Sequence, residues 1–464
     1  MGKRIAVVGG GIAGLAAAVR LRDRAPADTE IIVYEQSGVL GGKLRTGRLA
    51  GVVVERGAES FLTGAPQGGE SAAVLLARRL GLGSAFVHPA PVPPALAVAG
   101  RLTPLPAGTF LGVPGDPAAL GGVAEPAADT DRDEGRPLLA PGEDVTVGEL
   151  VRPRYGDAVV DQLVEPLLGG VYAGRADRLS LAASMPALAR AARTERTLAG
   201  AVRAAQAATV RQPGRPVFAA IEGGLGRLVA AAAAASGARL SLGQPIRELA
   251  RTRYGWRILS GPVPAPRTDD VDAVVLSVPA RPAARLLAGV DAEAAAAVGV
   301  LRYASVALVA LALPPGTPLP ELSGILVPPG EGTLVKAATF VTSKWPRPDP
   351  GGGPVIVRAS IGRAGEEERL QRGDGVLIAR AHAELGELLG APLPPPTASW
   401  VQRWGGALPQ YAPGHLDRVA AARAALADRP GIALAGAAFD GVGIPACVAS
   451  GETAAEDIVK SLEE

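Results

Sequence analysis

The chain has 464 residues, 47 basic against 45 acidic side chains, and a single cysteine. This length allows two or three domains with large cores, and a hydrophobic content of 48% excludes a disordered chain. A net charge of +2 gives no indication of a nucleic-acid partner. The one cysteine, Cys447, excludes a disulfide within the chain, which suits a reducing compartment.

We expect a soluble, cytoplasmic protein. The first strand is predicted to begin at about Lys3, which leaves no room for an N-terminal signal peptide. No run of about 20 uncharged apolar residues occurs, because the apolar run 228–235 is too short and follows Arg227. Peripheral contact with a membrane stays open, and the sequence predicts no oligomeric state.

The N-terminal residues have the order strand, glycine turn, helix. An apolar run at 5–8 predicts a buried parallel strand, and a helix follows at 15–21. Between them, Gly9, Gly11 and Gly14 give the spacing G-x-G-x-x-G. The first glycine permits a tight turn, the second leaves room for a pyrophosphate, and the third lets helix and strand pack closely. The N–H groups at the helix start favour the charge of a phosphate.

A second apolar run, 31–34, ends in Glu35, whose carboxylate is placed to accept a hydrogen bond from a ribose hydroxyl. The glycine motif alone is weak, since glycine turns open many helices. Here strand, helix, second strand and acid fall in order within one βαβ unit, which predicts a dinucleotide site. Glu35 also argues against a 2′-phosphate, which it would repel.

Two further stretches indicate which dinucleotide binds. A glycine pair and a cation follow in GGKLRT at 41–46, and ERGAES stands at 55–60. These stretches resemble the FAD-binding fold of the glutathione reductase type, within the group that holds amine oxidases, phytoene desaturases and protoporphyrinogen oxidases. In that group the glycine pair and cation lie over the FAD pyrophosphate and flavin. From residue type alone, Lys43 could also be a solvated surface lysine.

The next part of the chain changes character. Thr146 and Glu149 have the spacing of a capping box. Pro166 and the glycines that follow it should break a helix, either as a plain interhelical turn or as a glycine-lined approach for a flat ligand. The elements predicted here are a helix at 71–80, strands within 87–114, a mobile loop or linker at 114–144 and a helical region at 145–209.

The second half is predicted to return to the first sheet. The strand at 272–278 has the apolar run of a buried parallel strand, and GVGIP at 441–445 starts a helix that ends at about Lys460. That helix start points a second set of N–H groups at the dinucleotide. The other predicted elements are a strand-turn-helix at 218–228, paired strands at 240–249 and 256–259, strands at 303–313, 332–342, 355–361, 399–404 and 431–436, and a helix at 366–389.

Six stretches, in order along nearly the whole chain, narrow the resemblance. They are GGKLRT at 41–46, GAES at 57–60, PLLGGVYAG at 166–174, KW at 344–345, ALPQYAPGH at 407–415 and GVGIP at 441–445. Together they resemble the oxygen-dependent protoporphyrinogen and coproporphyrinogen III oxidases of haem synthesis. A chain of this size without a membrane segment is closer to the coproporphyrinogen III oxidases of Gram-positive bacteria.

The resemblance implies an α/β fold, α+β overall. It has a Rossmann-like FAD-binding domain of the glutathione reductase type, a mixed-sheet substrate domain and a helical insertion. The predicted boundaries are 1–85, 215–295 and 405–464 for a discontinuous FAD-binding domain, 86–114 and 296–404 for the substrate-binding domain, and 115–214 for a linker loop and helical domain.

The resemblance also implies the reaction. A porphyrinogen loses six electrons to non-covalently bound FAD in three rounds, and oxygen reoxidises the flavin to give hydrogen peroxide. Trp404 and Ile246 match FAD contacts of the family, although either could simply be a core residue. The implied FAD contacts are Gly9, Gly10, Gly11, Ile12, Ala13, Gly14, Glu35, Gln36, Gly42, Lys43, Gly57, Ala58, Glu59, Ser60, Ile246, Trp404, Val442, Gly443 and Ile444.

The substrate side is less defined. Hydride leaves an apolar macrocycle, so the flavin should face a dry cavity. The predicted substrate contacts are Tyr172, Gly174 and Lys336. Propionates need cations, and further candidates, each of which could also be an exposed charge, are Arg101, Arg175, Arg178 and Lys344. The chain departs from its relatives at 63–65, where they often carry a basic pair, and at 95–99, where the mitochondrial enzymes use an arginine.

We predict no catalytic residue and no metal site. His88, His382 and His415 have no acid partner in a motif, so we expect each to be structural or exposed. Asp440 lies near the last glycine turn, where a capping role is favoured over catalysis. The pyrrole protons would then pass to a flavin nitrogen or to solvent.

Other functions stay open. One is another flavin oxidase, such as an amine oxidase or a desaturase. A covalent-FAD amine oxidase would offer a cysteine before the final strand, whereas Cys447 lies in the last helix as an ordinary buried thiol. The other is an FAD-loaded scaffold that regulates a haem-pathway partner without turnover. The choice between coproporphyrinogen III and protoporphyrinogen IX is the least determined part of the prediction.

Overall fold

A computed structural model describes residues 2–98, 100–128, 130–208, 214–345 and 352–463. Its centre is a five-stranded parallel sheet. Four of its strands are buried along most of their length, which explains their apolar runs, whereas the edge strand Arg239–Leu242 is largely exposed. The predicted return of the chain to the first sheet is confirmed, because Ala273–Leu276 pairs in parallel with Arg4–Val8. In spatial order the strands are Arg239–Leu242, Glu30–Glu35, Arg4–Val8, Ala273–Leu276 and Ile432–Leu434.

Two helices pack on one face of this sheet and lie against each other. The first, Ile12–Arg24, follows the glycine turn, and the last, Ile444–Glu463, follows the C-terminal glycine turn. A Cβ built on Gly451 would lie 2.0 Å from the carbonyl oxygen of Ala13, so only a glycine allows this approach. The other helices of these segments are Ala72–Arg79, Gly226–Ser236, Ala280–Leu287, Ala292–Gly299, His415–Leu426 and Ala437–Asp440.

A second sheet of seven strands is mixed. One neighbouring pair, Gly324–Leu326 with Pro94–Val98, is parallel, and the other pairs are antiparallel. The helix Asp374–Leu388 buries its apolar side chains against this sheet. In spatial order the strands are Ala398–Gln410, Arg302–Leu313, Val355–Ile361, Val335–Phe340, Gly324–Leu326, Pro94–Val98 and Arg101–Pro104.

The region 145–209 is helical as predicted, except that residue 209 lies outside the described residues. The capping box is present, since Thr146 Oγ1 accepts from Glu149 N at 3.0 Å and Glu149 Oε2 accepts from Thr146 N at 2.7 Å. The helices are Val147–Tyr155, Asp157–Val159, Glu165–Tyr172, Leu181–Ser184, Pro186–Ala192 and Leu198–Ala208, with a π-helical turn at Val160–Val164.

The predicted helix break at Pro166 is wrong. Pro166 lies in the first turn of Glu165–Tyr172, directly after the π-helical turn, and the helix continues through Gly169 and Gly170. A wide π turn accommodates the missing N–H of a proline without ending the helix. The helix ends instead at Ala173, which adopts a left-handed conformation with φ of 50°.

The described residues of 114–144 form a loop as predicted, apart from Pro114 at the end of a strand and a 3-10 turn at Pro117–Ala119, but this loop packs against the helical region and is not a solvated linker. Leu120, Val123 and Leu139 are buried in the core of the helical region. The Asp131 carboxylate accepts hydrogen bonds from the backbone nitrogens of Leu198 and Ala199, at 2.7 and 2.9 Å, and so caps a helix. The Gly, Pro, Ala and acid composition suggested a solvated segment because its few apolar anchors are widely spaced.

The first strand of the predicted pair, 240–249, is divided between two sheets. Arg239–Leu242 joins the parallel sheet, whereas Ile246–Thr252 pairs with Gly255–Ser260 in a separate one. No described helix is both long and apolar enough to cross a membrane. The remaining strands form small sheets: Thr46–Leu49 with Val52–Glu55, Phe61–Leu62 and Phe86–Val87 on either side of Phe218–Ile221, Arg267–Val271 beside Gly255–Ser260, and Thr109–Phe110 with Val113–Pro114.

The parallel sheet takes its strands from three separate stretches of the chain, as a discontinuous domain requires. The domain boundaries themselves stay a prediction.

Candidate functional site

The N-terminal glycine turn has two glycines that packing requires and one that faces open space. Gly9 has a φ of 114° and donates from its nitrogen to the Tyr34 carbonyl at 2.8 Å. A Cβ on Gly14 would lie 2.0 Å from the Gly9 carbonyl oxygen. A Cβ on Gly11 would meet no atom within 4 Å. The turn therefore opens toward empty space at the position where the motif places a pyrophosphate.

Glu35 lies at the end of the second strand, half-buried beside this turn. Its Oε2 accepts from the Gly10 nitrogen at 2.9 Å, and its Oε1 accepts from the Ser37 nitrogen at 2.8 Å. These bonds fix the carboxylate and leave lone pairs on both oxygens for a ribose hydroxyl. Its neighbour Gln36 is exposed.

The other N-terminal motifs close around the same turn. Gly41 donates to the Gly10 carbonyl at 2.8 Å, and a Cβ on Gly42 would lie 3.3 Å from the Gly11 Cα. A Cβ on Gly57 would lie 2.0 Å from the Lys43 carbonyl oxygen, and that oxygen accepts from the Ala58 nitrogen at 3.0 Å. The three motifs at 9–14, 41–46 and 57–60 therefore form one surface.

Trp404 and Ile246 reach this surface from different sheets. Trp404 Nε1 donates to the Arg56 carbonyl at 2.6 Å, and its ring is half-buried. Ile246 is buried and belongs to the core beside Tyr34. The side chain of Ile246 is therefore part of the core, whereas Trp404 is half-buried and bonded to the motif at 55–60.

The C-terminal glycine turn comes to the same place. A Cβ on Gly436 would lie 3.8 Å from the Cβ of Ala13, at the start of the first helix. Val442 and Gly443 are not buried, and Ile444 starts the last helix with its side chain in the core. Ile12 and Ile444, the first residues of the first and last helices, belong to the same core cluster, so the two helix starts pack together and both present partial positive charge.

Lys43 and Cys447 interact electrostatically between these two turns. Burial lowers the pKa of Lys43, which the Cys447 thiol slightly opposes. Burial raises the pKa of Cys447 to about 11, so the thiol is protonated at neutral pH. This protonation state agrees with the prediction that Cys447 is an ordinary thiol within the last helix.

Glu59 has a different role from the other members of its motif. Its buried carboxylate binds Arg358 and the Trp345 indole N–H, and it lies 3.1 Å from the Lys344 ammonium. Burial alone would raise the pKa of Glu59, but Arg358 and Lys344 hold it below its usual value. The carboxylate therefore ties the motif to the seven-stranded sheet, and Lys344 is committed to this ion pair. Ser60 follows it, half-buried.

Two of the predicted substrate contacts are occupied by protein. The Tyr172 hydroxyl donates to the Ser184 carbonyl at 3.0 Å, and its ring packs edge-on against Tyr411 with centroids 5.8 Å apart. A Cβ on Gly174 would lie 2.7 Å from the side-chain oxygen of Gln410. Gly174 is thus required by packing, and Tyr172 is a core residue.

A neighbouring glycine, which sequence reasoning passed over, faces open space instead. Gly169 is buried, yet a Cβ built on it would meet nothing within 4 Å. Its carbonyl oxygen accepts from the Lys336 ammonium at 3.0 Å. The signal was available in the glycine pair of PLLGGVYAG, but a glycine facing a void cannot be distinguished in sequence from one facing a side chain.

Lys336 is buried, at 4% exposure, on the strand Val335–Phe340. Burial, with a smaller contribution from Arg363, lowers its pKa to about 7. Of the other predicted cations, Arg175 pairs with Glu366 at 2.6 Å, and Arg101 and Arg178 are exposed.

The histidines are structural or exposed, as predicted. His88 is bonded to the Phe218 carbonyl and His382 to the Pro394 carbonyl. His415 is buried against Tyr411, and burial lowers its pKa to about 4. Across the described part of the chain no group of three or more His, Cys, Asp or Glu side chains could hold a metal ion.

The predicted capping role of Asp440 is wrong. It ends the short helix Ala437–Asp440, pairs with Arg423 at 2.7 Å and accepts a hydrogen bond from the Ser450 hydroxyl. Asp440 therefore acts as an ion-pair partner at the C-terminal end of its helix. By binding Arg423 and Ser450, which belong to two other helices, it stabilises the turn before the last helix.

Comparison with known proteins gives one family match and consistent relatives. The model of the family described as flavin containing amine oxidoreductase matches residues 12–459. A coproporphyrinogen III oxidase of Mycobacterium tuberculosis is 36% identical over 469 residues, which cover 98% of this chain and 97% of that protein. The human protoporphyrinogen oxidase is 29% identical over 497 residues, covering 99% of each.

A solved structure agrees over the full length. A crystal structure of a proposed protoporphyrinogen oxidase from Exiguobacterium superposes with a TM-score of 0.83 and 30% identity, and all of each chain is covered.

Proposed function

We propose that this chain, which belongs to the flavin-containing amine oxidoreductase family, is an FAD-dependent oxidase that converts coproporphyrinogen III to coproporphyrin III in haem biosynthesis. The name and full-length similarity of the M. tuberculosis relative support this substrate. The observation that carries the proposal is that the helices at two distant glycine turns, 9–14 and 441–445, start in one hydrophobic core, with open space at Gly11.

The residues at this place fit FAD bound without a covalent link. The open space at Gly11 accommodates a pyrophosphate, whose charge the starts of the first and last helices stabilise. Glu35 would hold the ribose, and Lys43 and Trp404 would border the flavin. The Cys447 thiol is protonated and lies inside a helix, which argues against a covalent bond through sulfur. We propose that all the FAD contacts named from the sequence contribute, and that Glu59 does so through its backbone.

A bound flavin supplies hydride acceptance from carbon, and the protein supplies orientation and a dry environment. One porphyrinogen gives up six electrons and six hydrogens, so three molecules of oxygen become three of hydrogen peroxide. Gly169 and its void provide a buried space against which an apolar ring can lie. Lys336 is the proposed substrate contact with the strongest geometric support. Tyr172 and Gly174 are proposed to shape the wall behind it.

Protoporphyrinogen IX is the second candidate substrate, because the human relative and the Exiguobacterium structure carry that name. Two other functions stay open: an amine oxidase or desaturase activity, and an FAD-loaded scaffold without turnover. The test below must distinguish them from porphyrinogen oxidation. The cytoplasmic location stays a prediction.

The test is an aerobic assay with the purified, FAD-loaded protein. Coproporphyrinogen III and protoporphyrinogen IX are supplied separately, and porphyrin fluorescence, oxygen consumption and peroxide are followed together. We expect porphyrin to form with three peroxides for each ring, and coproporphyrinogen III to have the higher kcat/KM. If neither ring is oxidised while an amine consumes oxygen, the proposal is wrong.

A further inference from the structure

Two buried cations lie next to each other behind the Gly169 void without a carboxylate to neutralise them. Lys336 and Arg363 are each 4% exposed. Val327 connects them: its nitrogen donates to the Lys336 carbonyl at 2.9 Å, and its carbonyl accepts from Arg363 Nη2 at 2.8 Å. Among the residues that the structure describes, no carboxylate forms an ion pair with either side chain.

The nearby acids Glu366 and Glu165 form no ion pair with Lys336 or Arg363 among the described residues. Glu366 forms ion pairs with Arg175, at 2.6 Å, and with Arg369, at 3.4 Å. Glu165 is buried; its Oε1 accepts from the Ala176 nitrogen, its Oε2 has no partner, and burial raises its pKa. These acids therefore act on the pair only as nearby charges without contact, which leaves its positive charge partly uncompensated at an unfavourable buried site.

The void is within reach of this charge. The Lys336 ammonium donates to the carbonyl of Gly169, the residue whose Cβ position is open. Ammonium has three donors and guanidinium five, and carbonyl oxygens take one from each here, so both side chains have donors left. A buried ligand that accepts these donors and carries negative charge would remove the cost of the uncompensated cations.

We propose that Lys336 and Arg363 form a carboxylate-binding site, which takes one propionate group of the substrate ring at the Gly169 void. This inference rests on the proposed function for the identity of the ring, and on the contacts above for the carboxylate. Arg363 was not among the residues that the sequence indicated.

Binding at this site is coupled to proton uptake. Burial and Arg363 lower the pKa of Lys336 to about 7, so at pH 8 most of the unliganded protein holds a neutral amine. The charged groups that face the pair are Glu366, Arg175, Glu165 and Arg369. A bound carboxylate favours the ammonium form, so binding at pH 8 takes up roughly one proton, and binding at pH 6 takes up little.

The experiment uses coproporphyrin III, the oxidised ring, and its tetramethyl ester, which lacks the carboxylates. Both are titrated into the FAD-loaded protein in the same dilute detergent, with porphyrin fluorescence as the signal. We expect the wild-type protein to prefer the acid, and Lys336→Gln and Arg363→Gln each to weaken acid binding by roughly 10- to 100-fold while ester binding is unchanged. Lys460→Gln, an exposed lysine in the last helix, is the control and should behave as wild type.

A second measurement needs no variant. Calorimetry of acid binding to the wild-type protein in buffers of different ionisation enthalpy should give roughly one proton taken up at pH 8, and none for the ester. Equal affinity of the wild-type protein for acid and ester, or acid binding without proton uptake, overturns the inference. The proposed function is tested separately from this site. If the carboxylate site is refuted but the wild-type protein oxidises the porphyrinogen, the proposed function still holds; if the protein oxidises no ring, the proposed function is wrong whatever the binding result.

Discussion

The indole nitrogen of Trp404 donates a hydrogen bond of 2.6 Å to the backbone carbonyl of Arg56, which joins the long edge strand of the seven-stranded sheet to the motif at 55–60. Trp400 lies four residues earlier on the same strand, and its buried indole nitrogen has no hydrogen-bond partner among the described residues. These two tryptophans therefore provide a matched pair for a test of what the bond does.

Trp404→Phe should loosen the cofactor. The change keeps an aromatic ring but leaves the Arg56 carbonyl without its donor, at a cost of about 1–2 kcal/mol, so we expect roughly tenfold faster loss of flavin on dilution. Release is measured by the recovery of free-flavin fluorescence. Trp400→Phe removes an unbonded N–H and should retain flavin as the wild type does; an equal effect of both changes would show that the bond to Arg56 has no role.

Two glycines of the first motif should respond in opposite ways to a side chain. Gly11 has a φ of −73° and open space at its Cβ position, so Gly11→Leu should fold and yet bind no flavin. Gly14→Ala places a Cβ 2.0 Å from the Gly9 carbonyl and should reduce the folded yield itself. Circular dichroism and the flavin-to-protein absorbance ratio separate the two outcomes. A yellow Gly11→Leu protein at full occupancy would refute the placement of the pyrophosphate.

The sequence could predict the parallel sheet, both glycine turns and the order of the six motifs, because each depends on local apolar runs and glycine spacing. It could not predict that Glu59 binds Arg358, about 300 residues away, or that Gly169 rather than Gly174 faces open space. Those facts depend on which side chains a distant strand brings opposite the motif. The packing of the loop at 114–144 was missed for the same reason, since its apolar anchors pack against helices that follow later in the chain.

Glu59→Gln should lower stability. Removing the carboxylate leaves Arg358 and Lys344 with no partner of opposite charge at a buried site, and we expect a loss of about 3–5 kcal/mol near neutral pH. Thermal unfolding measures the loss, with Glu293→Gln as a control at an exposed acid.

The pH dependence of that loss has a definite sign. The folded pKa of Glu59 lies below its unfolded value, so its contribution is complete above the unfolded pKa and disappears as pH falls through the folded pKa. Wild type and Glu59→Gln should therefore approach equal stability in acid. A difference that grows below pH 4 would contradict the assigned ion pairs.

Lys336→Met should change the alkaline side of the stability profile. The folded pKa of about 7 lies below the ordinary lysine value of 10.5, so between these values the unfolded chain binds more protons, and wild-type stability rises with pH. The slope lost in Lys336→Met is about 1.4 kcal/mol for each pH unit. Denaturant titrations at pH 7 and 9 measure it, and equal slopes in the two proteins would show that burial does not lower the pKa of Lys336.

The most direct test of the account is an anaerobic titration of the FAD-loaded protein with coproporphyrinogen III, followed by the flavin band near 450 nm and the porphyrin Soret band. We predict that the flavin band bleaches while porphyrin appears, with three flavins reduced for each ring oxidised, and that admitted air restores the flavin band. A preparation that takes up FAD but shows no bleaching with either porphyrinogen would contradict the central claim.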